Sequence, residues 1–327
     1  MTVQGADAET DAVAVATEVL GELAEISVPL APMTTYRVGG AAALFVRPKS
    51  VADLDVVAEA IHRSGLPVLV VGRGSNLLVA DGGFRGIALS LAALGNDIEI
   101  DGDRARAGGA VALPVLARRT VAAGLQGFEW AVGVPGSVGG GVRMNAGGHG
   151  SDMAAALVDV ELFDLLQRRH GHVSADRLGL RFRGSDLADH QVVVSAELQL
   201  AYGDREQSEA ELDDIVRWRR EHQPGGQNAG SVFVNPVPGE LAAGALIDGL
   251  GLRGMRMGTA HVSDKHANFI QADDGGSAAD VRALMDEVRR LVAEHTGHLL
   301  RSEVRLVGFA DDEHERERGA LFAGVSW

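Results

Sequence analysis

Two stretches of this 327-residue chain have residue types and spacing suited to chemistry. The first, Val70-Val71-Gly72-Arg73-Gly74-Ser75-Asn76-Leu77-Leu78-Val79, runs an apolar strand into a glycine-rich turn. Successive amide N–H groups around such a turn can surround an anion, and glycine lets the backbone approach it closely, as pyrophosphate binding requires. It is not a Walker loop, because no Gly-Lys-Ser/Thr follows, and it lacks the Gly-x-Gly-x-x-Gly spacing of a Rossmann fold. An ordinary tight turn is the competing reading. The second stretch, Gly133-Val134-Pro135-Gly136-Ser137-Val138-Gly139-Gly140-Gly141, is followed by Met144-Asn145-Ala146-Gly147-Gly148. Ser137 does not sit in a nucleophile elbow, since Pro135 takes the first glycine position of Gly-x-Ser-x-Gly. Two glycine loops on consecutive units suggest a cofactor sandwiched between subdomains.

Other chemistries are poorly provided for. Cysteine is absent, which excludes disulfides, thiolate metal sites and cysteine nucleophiles. His261 and His266 are five positions apart, and His295 and His298 end a helix without the acidic context of a metal site, so no metal is expected. The net charge of −15 disfavours phosphate backbones and anionic lipid as partners. The first twenty residues carry acids but no Lys or Arg, no basic signal segment is read there, and no apolar run suits a membrane span; a soluble cytoplasmic protein is expected. Glycine, 43 of 327 residues, is clustered rather than periodic, and only Lys49 and Lys265 among the 30 basic residues are lysine.

The elements that must position the loops follow from hydrophobic period and caps. A helix from about Asp11 to Glu25 is expected to lie outside the main body. A strand at Ala42–Val46 precedes a helix opened by Ser50 and Asp53, with Val51, Leu54, Ala58 and Ile61 on one face and a stop at Gly65. Pro67–Val71 and Ile87–Leu91 read as strands flanking the first loop. Pro114 and Gly124 bracket a helix over Leu113–Ala123, and strands fall near Val158–Leu162 and Val192–Leu200. Ser208 with Glu211, and Ser277 with Asp280, read as caps of two further helices in a separate α/β domain. The expected layout is an acidic extension at 1–27, subdomains at 28–100 and 101–205, a third domain at 206–309 and a charged tail at 310–327.

Along almost its whole length the chain resembles the UDP-N-acetylenolpyruvoylglucosamine reductase (MurB) family. The resemblance is carried in order by Thr34-Thr35-Tyr36-Arg37-Val38-Gly39-Gly40, the two glycine loops, Gly127-Phe128-Glu129, Gly230-Ser231-Val232-Phe233, Leu246-Ile247-Asp248, Gly251-Leu252-Arg253-Gly254, Val262-Ser263-Asp264-Lys265-His266-Ala267-Asn268-Phe269 and Glu303-Val304-Arg305. It implies an α+β protein whose two-subdomain FAD-binding fold, shared with vanillyl-alcohol oxidase, is followed by a C-terminal α/β substrate-binding domain. The implied cofactor is non-covalent FAD, held by Tyr36, Arg37, Gly72, Arg73, Gly74, Ser75, Asn76, Leu77, Gly133, Pro135, Gly136, Ser137, Gly139, Gly140 and Asn145. NADPH would reduce the flavin, which would then pass hydride to the enolpyruvyl ether of a UDP-sugar, giving UDP-N-acetylmuramate for peptidoglycan.

Hydride addition to the terminal carbon of that ether leaves electron density on the next carbon and its carboxylate, so the site needs charge stabilisers and a proton donor. By resemblance, Arg183 in Phe182-Arg183-Gly184-Ser185 would hold the carboxylate, Ser231 would donate the proton and Glu303 would stabilise the enolate. Asn235, Lys265, His266 and His222 are the substrate-binding candidates, with Arg219 and Arg220 as further cations. The chain departs from the family at Phe182, where tyrosine is usual, and at Val234 and His222, where lysine is common. The short interval from Arg183 to Ser231 resembles the branch lacking a lid loop, so no tyrosine clamp is expected. A monomer is expected. The rivals are a sugar or alcohol oxidase on the same fold and a flavin- or nucleotide-binding module without turnover.

Overall fold

The computed structural model describes residues 3–309, with side chains from Thr10 onward; the charged tail expected at 310–327 lies outside the described residues. The first unit is a four-stranded sheet in the order Ala24–Pro29, Ala41–Val46, Phe84–Leu89, Val68–Val70. The first pair is antiparallel and the other two are parallel. Its crossover helix Val51–Ser64 opens on a reciprocal capping box between Ser50 and Asp53 and closes on Gly65 in the left-handed region. Leu54, Val57, Ala58 and Ile61 are buried against the sheet.

The N-terminal helix departs from expectation. It spans Val3–Leu20 and packs on the Val51–Ser64 helix, with Ala16 and Leu20 buried in the same core. Its buried stripe is narrow and partly alanine, a weak hydrophobic signal in sequence but enough to dock one helix on another.

The second unit is an antiparallel five-stranded sheet in the order Arg169–Ser174, Leu157–Asp164, Gln191–Gln199, Arg104–Gly108, Ile98–Asp101. Helices Leu113–Ala122 and Val138–Met144 join its core through Leu113, Leu116, Val138 and Val142. The helix expected to open the third domain belongs to this core. It spans Arg205–His222 and buries Leu212 and Ile215 there, so the boundary by packing falls after it. Asp204, whose side chain accepts from the Gln207 amide, starts this helix. Ser208 therefore lies inside it, where its hydroxyl donates to buried Glu129 at 2.7 Å instead of capping.

The third unit packs helix Ala278–Thr296 on a small antiparallel sheet of Arg256–Met257, Ala260–Val262 and Ile270–Ala272. Ser277 caps this helix and Gly297 ends it. The chain then returns: Arg305–Val307 pairs in parallel with Leu77–Val79, the strand that leaves the first glycine loop. That pairing anchors Glu303 beside a loop far away in sequence, and Asn76 Nδ2 donates to the Glu303 carbonyl at 3.0 Å. Among the described residues no helix is long and apolar enough to cross a membrane.

Candidate active site

The two glycine loops meet. A Cβ built on Gly72 would stand 2.5 Å from Ser137 Oγ, so a side chain there would have to displace the Ser137 hydroxyl. Gly74 has φ +60°, and a Cβ there would lie 2.1 Å from the Met33 carbonyl oxygen. Among the described residues, the backbone amides of Gly72 to Asn76 donate to no acceptor within the chain, whereas those of Val71 and Val138 are committed to Leu89 and Val111. Ser137 caps helix Val138–Met144 by accepting from the Gly140 amide. The result is a run of free N–H donors beside a helix N-terminus, a geometry that fits a pyrophosphate.

These loops floor a cavity of about 530 Å³, whose other walls include Arg183, Ser231 and Glu303. A second hollow of about 420 Å³ adjoins it across Gly72, Arg73, Ser137 and Gly140, and is lined also by Gly139, Asn96 and Gly109. The shared border gives an elongated dinucleotide room along the floor.

Arg183 Nε lies 3.0 Å from Glu303 Oε1, and its terminal nitrogen donates to the Gly147 carbonyl at 3.0 Å. Arg183 holds φ +58°, a left-handed conformation unusual for a residue with a Cβ, in the tight turn where Arg181 and Gly184 bridge. Backbone strain of this kind clusters at ligand-binding and active sites. Ser231 sits in a pinned loop. Asn268, buried, accepts from the Val232 amide through its carbonyl and from the Phe233 amide through Oδ1, and its Nδ2 donates to the Phe233 carbonyl at 2.8 Å. Glu303 is tied to the same loop, because its amide donates to the Val232 carbonyl.

The expected flavin ligands divide. Gly72, Arg73, Gly74, Ser75, Asn76, Leu77, Gly133, Pro135, Gly136, Ser137 and Gly140 line the main cavity, and Gly139 the adjoining one. Three do not reach either. Tyr36 is fully buried in the core of the third unit, and burial pushes its phenol well above its ordinary value. Arg37 is exposed. Asn145, left-handed and buried, spends its amide on Asp152, the Arg181 carbonyl and the Ala154 amide, holding the Arg183 turn against the second loop.

The substrate candidates Asn235, Lys265, His266 and His222 are also absent from the cavity walls. Asn235 Oδ1 accepts from the Ala243 amide at a helix start. Lys265 Nζ donates to the Arg220 carbonyl. His266 packs edge-on to Phe269, and desolvation, aided by Arg253, lowers its pKa. His222 stacks on Trp218.

The walls also hold residues outside the expected site set. Arg143 and Arg305 both reach Asp189, closing a three-residue bridge between the second unit and the returning strand. Trp218, Gln223 and His149 line the main cavity beside Arg219. Desolvation, then the Arg219 charge, lowers the His149 pKa, and burial lowers that of Arg219. Arg143 lies two residues beyond Gly141 and Trp218 one turn before the end of an amphipathic helix, positions close to local signals that do not state which way a side chain faces.

Residues 42–165 match the family model described as an FAD binding domain. With the paired glycine loops, the dinucleotide-sized floor and a charged wall above it, the chain is an FAD-dependent oxidoreductase with an α+β, two-subdomain cofactor fold. Residues 222–307 match the C-terminal domain of UDP-N-acetylenolpyruvoylglucosamine reductase. The reductase of that name from Heliobacterium modesticaldum is 42% identical over 299 residues, covering 88% of this chain and 95% of the relative. That from Methylorubrum extorquens is 40% identical, covering 90% and 94%. The crystal structure of the Thermus caldophilus enzyme superposes with a TM-score of 0.74 at 32% identity, over 87% of this chain and 98% of that one. The chain belongs to the UDP-N-acetylenolpyruvoylglucosamine reductase (MurB) family.

Proposed function

We propose that the protein reduces UDP-N-acetylenolpyruvoylglucosamine to UDP-N-acetylmuramate with NADPH as the electron source, acting as a monomer in the cytoplasm to supply peptidoglycan precursor. The observation that carries this reading is the Arg183–Glu303 pair at 3.0 Å, standing with Ser231 on the wall above the two glycine loops. FAD would rest on the amides of Gly72–Asn76 and on the Ser137 end of the second loop, and when bound it supplies the hydride chemistry linking NADPH to the enolpyruvyl ether.

The chain's own residues account for the rest of the reaction. Arg183 is engaged by Glu303 until a substrate carboxylate competes for it; the guanidinium then faces the carboxylate on which charge develops. A serine hydroxyl is a weak acid and becomes a useful donor only toward a strongly basic carbon, and only when rigidly aimed. The Asn268 lattice around Val232 and Phe233 supports such aiming of Ser231. Glu303, fixed by Asn76 and the Val232 carbonyl, completes the anion-handling wall. Arg219 is the cation within the cavity best suited to the substrate diphosphate. The functional division proposed is FAD on the first two units and substrate beneath the third, beginning after His222.

The test is anaerobic. NADPH should bleach the flavin, and UDP-N-acetylenolpyruvoylglucosamine should restore its colour. Bleaching without restoration rejects the reductase reading, and rapid reoxidation by oxygen with a sugar or alcohol as donor favours the oxidase.

A further inference from the structure

One end of the cavity has no part in the hydride chemistry and yet is built for a ligand. Trp218 stands one turn before the end of helix Arg205–His222 and lines the cavity while leaving 43% of its surface exposed. Its ring is not loose. His222, one turn on, stacks against it with centroids 4.6 Å apart and planes 15° from parallel. His222 Nδ1 donates to the Trp218 carbonyl at 2.8 Å, which fixes the imidazole and its tautomer. His149 meets the indole edge-on at 5.2 Å. A large aromatic held from two sides and still partly open to a cavity is a stacking surface with little rotamer entropy left to lose.

Beside it, Gln223 also lines the cavity, and its Oε1 is buried without a hydrogen-bond partner among the described residues. A buried acceptor left unsatisfied bears its desolvation cost without compensation, so its retention in a cavity wall points to a donor that arrives with the ligand. Between Trp218 and Gln223 stands Arg219, half-buried, whose charge suits a diphosphate. A flat π-face, a lone acceptor for a ring N–H and an adjacent cation together match a nucleoside diphosphate.

We infer that Trp218, braced by His222, and Gln223 form a nucleobase seat: the indole takes the base by stacking and Gln223 Oε1 accepts a hydrogen from a base or carboxamide N–H. This deepens the reductase reading by orienting its ligands, with the nucleotide end at the close of helix Arg205–His222 and the reacting end at Arg183 and Ser231. Uracil of the UDP-sugar and the heterocycles of NADPH share this chemistry, and the two can occupy the seat in turn.

Calorimetric titration of the FAD-loaded protein with UDP and, separately, with NADP+ distinguishes the sources. Trp218→Ala should weaken whichever nucleotide uses the seat about tenfold, as loss of one base–aromatic stack does, and Trp218→Phe should restore most of it. Gln223→Leu should weaken the same nucleotide while leaving flavin content unchanged. A merely structural Trp218 would instead lower flavin content and would not distinguish Phe from Ala in nucleotide affinity. If the wild type binds neither UDP nor NADP+, or if both variants bind both with unchanged affinity, the seat does not exist. If UDP affinity follows Trp218 but the UDP-sugar fails to recolour the reduced flavin, the seat stands and the reductase reading falls.

Discussion

Where the cavity is lined by the two glycine loops its surface is peptide backbone, contributed by short contiguous segments at Gly72–Asn76 and Gly133–Gly141. Where Arg183, Ser231 and Glu303 line it the surface is side chain, and they arrive on three separate segments joined only by the fold. On the proposed reading the floor works by shape and by backbone amides, with a Cβ excluded at Gly72 and Gly74. On the same proposed reading the wall works by charge and proton transfer, which a single atom in the wrong place abolishes. Cofactor binding and turnover should therefore fail separately under substitution.

The largest expected effect breaks the floor. Gly74→Val places branched carbon where a Cβ already lies 2.1 Å from the Met33 carbonyl oxygen, at a φ of +60° that β-branched residues avoid. The loop must move, its amides lose their common focus, and the purified variant should be colourless and fail to take up FAD. A yellow variant with normal flavin content would show that Gly72–Asn76 does not form the cradle.

Next come substitutions of the wall, which should leave the floor loaded. Ser231→Ala should bind FAD and be bleached by NADPH normally, but return colour with the UDP-sugar about 10²–10⁴-fold more slowly, the range for a lost general acid. Recolouring at the wild-type rate removes Ser231 as the donor. Arg183→Ala should slow the same half-reaction about 10²–10³-fold, the range for one removed charge stabiliser, again without slowing bleaching. Equal damage to both half-reactions would assign Arg183 to the flavin instead of the substrate.

The same contrast explains what could be read before the fold was known. The floor is local: a strand running into Gly-Arg-Gly-Ser-Asn states its backbone geometry within five residues, and the capping box at Ser50 and the stop at Gly65 are equally local. The wall is not. Arg183, Ser231 and Glu303 converge only because Arg305–Val307 pairs with Leu77–Val79 and because Asn268 locks the serine loop, and neither contact has a periodic signature. In the sequence only the family resemblance points to them. Ser208 shows the opposite hazard. Its spacing to Glu211 imitates a capping box, but Asp204 begins the helix one turn earlier and buried Glu129 claims the hydroxyl. Local patterns at helix starts are degenerate, and tertiary partners choose among them.

The smallest effect concerns how the wall is held over the floor. Asp81, next to the first unit's strand Phe84–Leu89, accepts from the Ser277 hydroxyl and from the Ala278 and Ala279 amides, seating the N-terminus of helix Ala278–Thr296 on the first unit. Burial works to raise the Asp81 pKa, but these three hydrogen bonds together outweigh it and hold the carboxyl below its ordinary value. A carboxylate depressed in the folded state adds stability that is fully present above the unfolded pKa and is lost as pH falls through the folded one. Asp81→Ala should therefore lower stability by about 1 kcal/mol near neutrality, the usual scale for a lost helix cap, and the difference from wild type should shrink as the solution is made acidic enough to protonate Asp81. Because the latch joins the third unit to the first, this variant should keep its flavin while the UDP-sugar half-reaction suffers more than bleaching. Urea unfolding at neutral and acid pH measures the first effect and stopped-flow colour recovery the second. A stability loss independent of pH would mean that the hydrogen bonds act through shape alone and that the Asp81 charge contributes nothing.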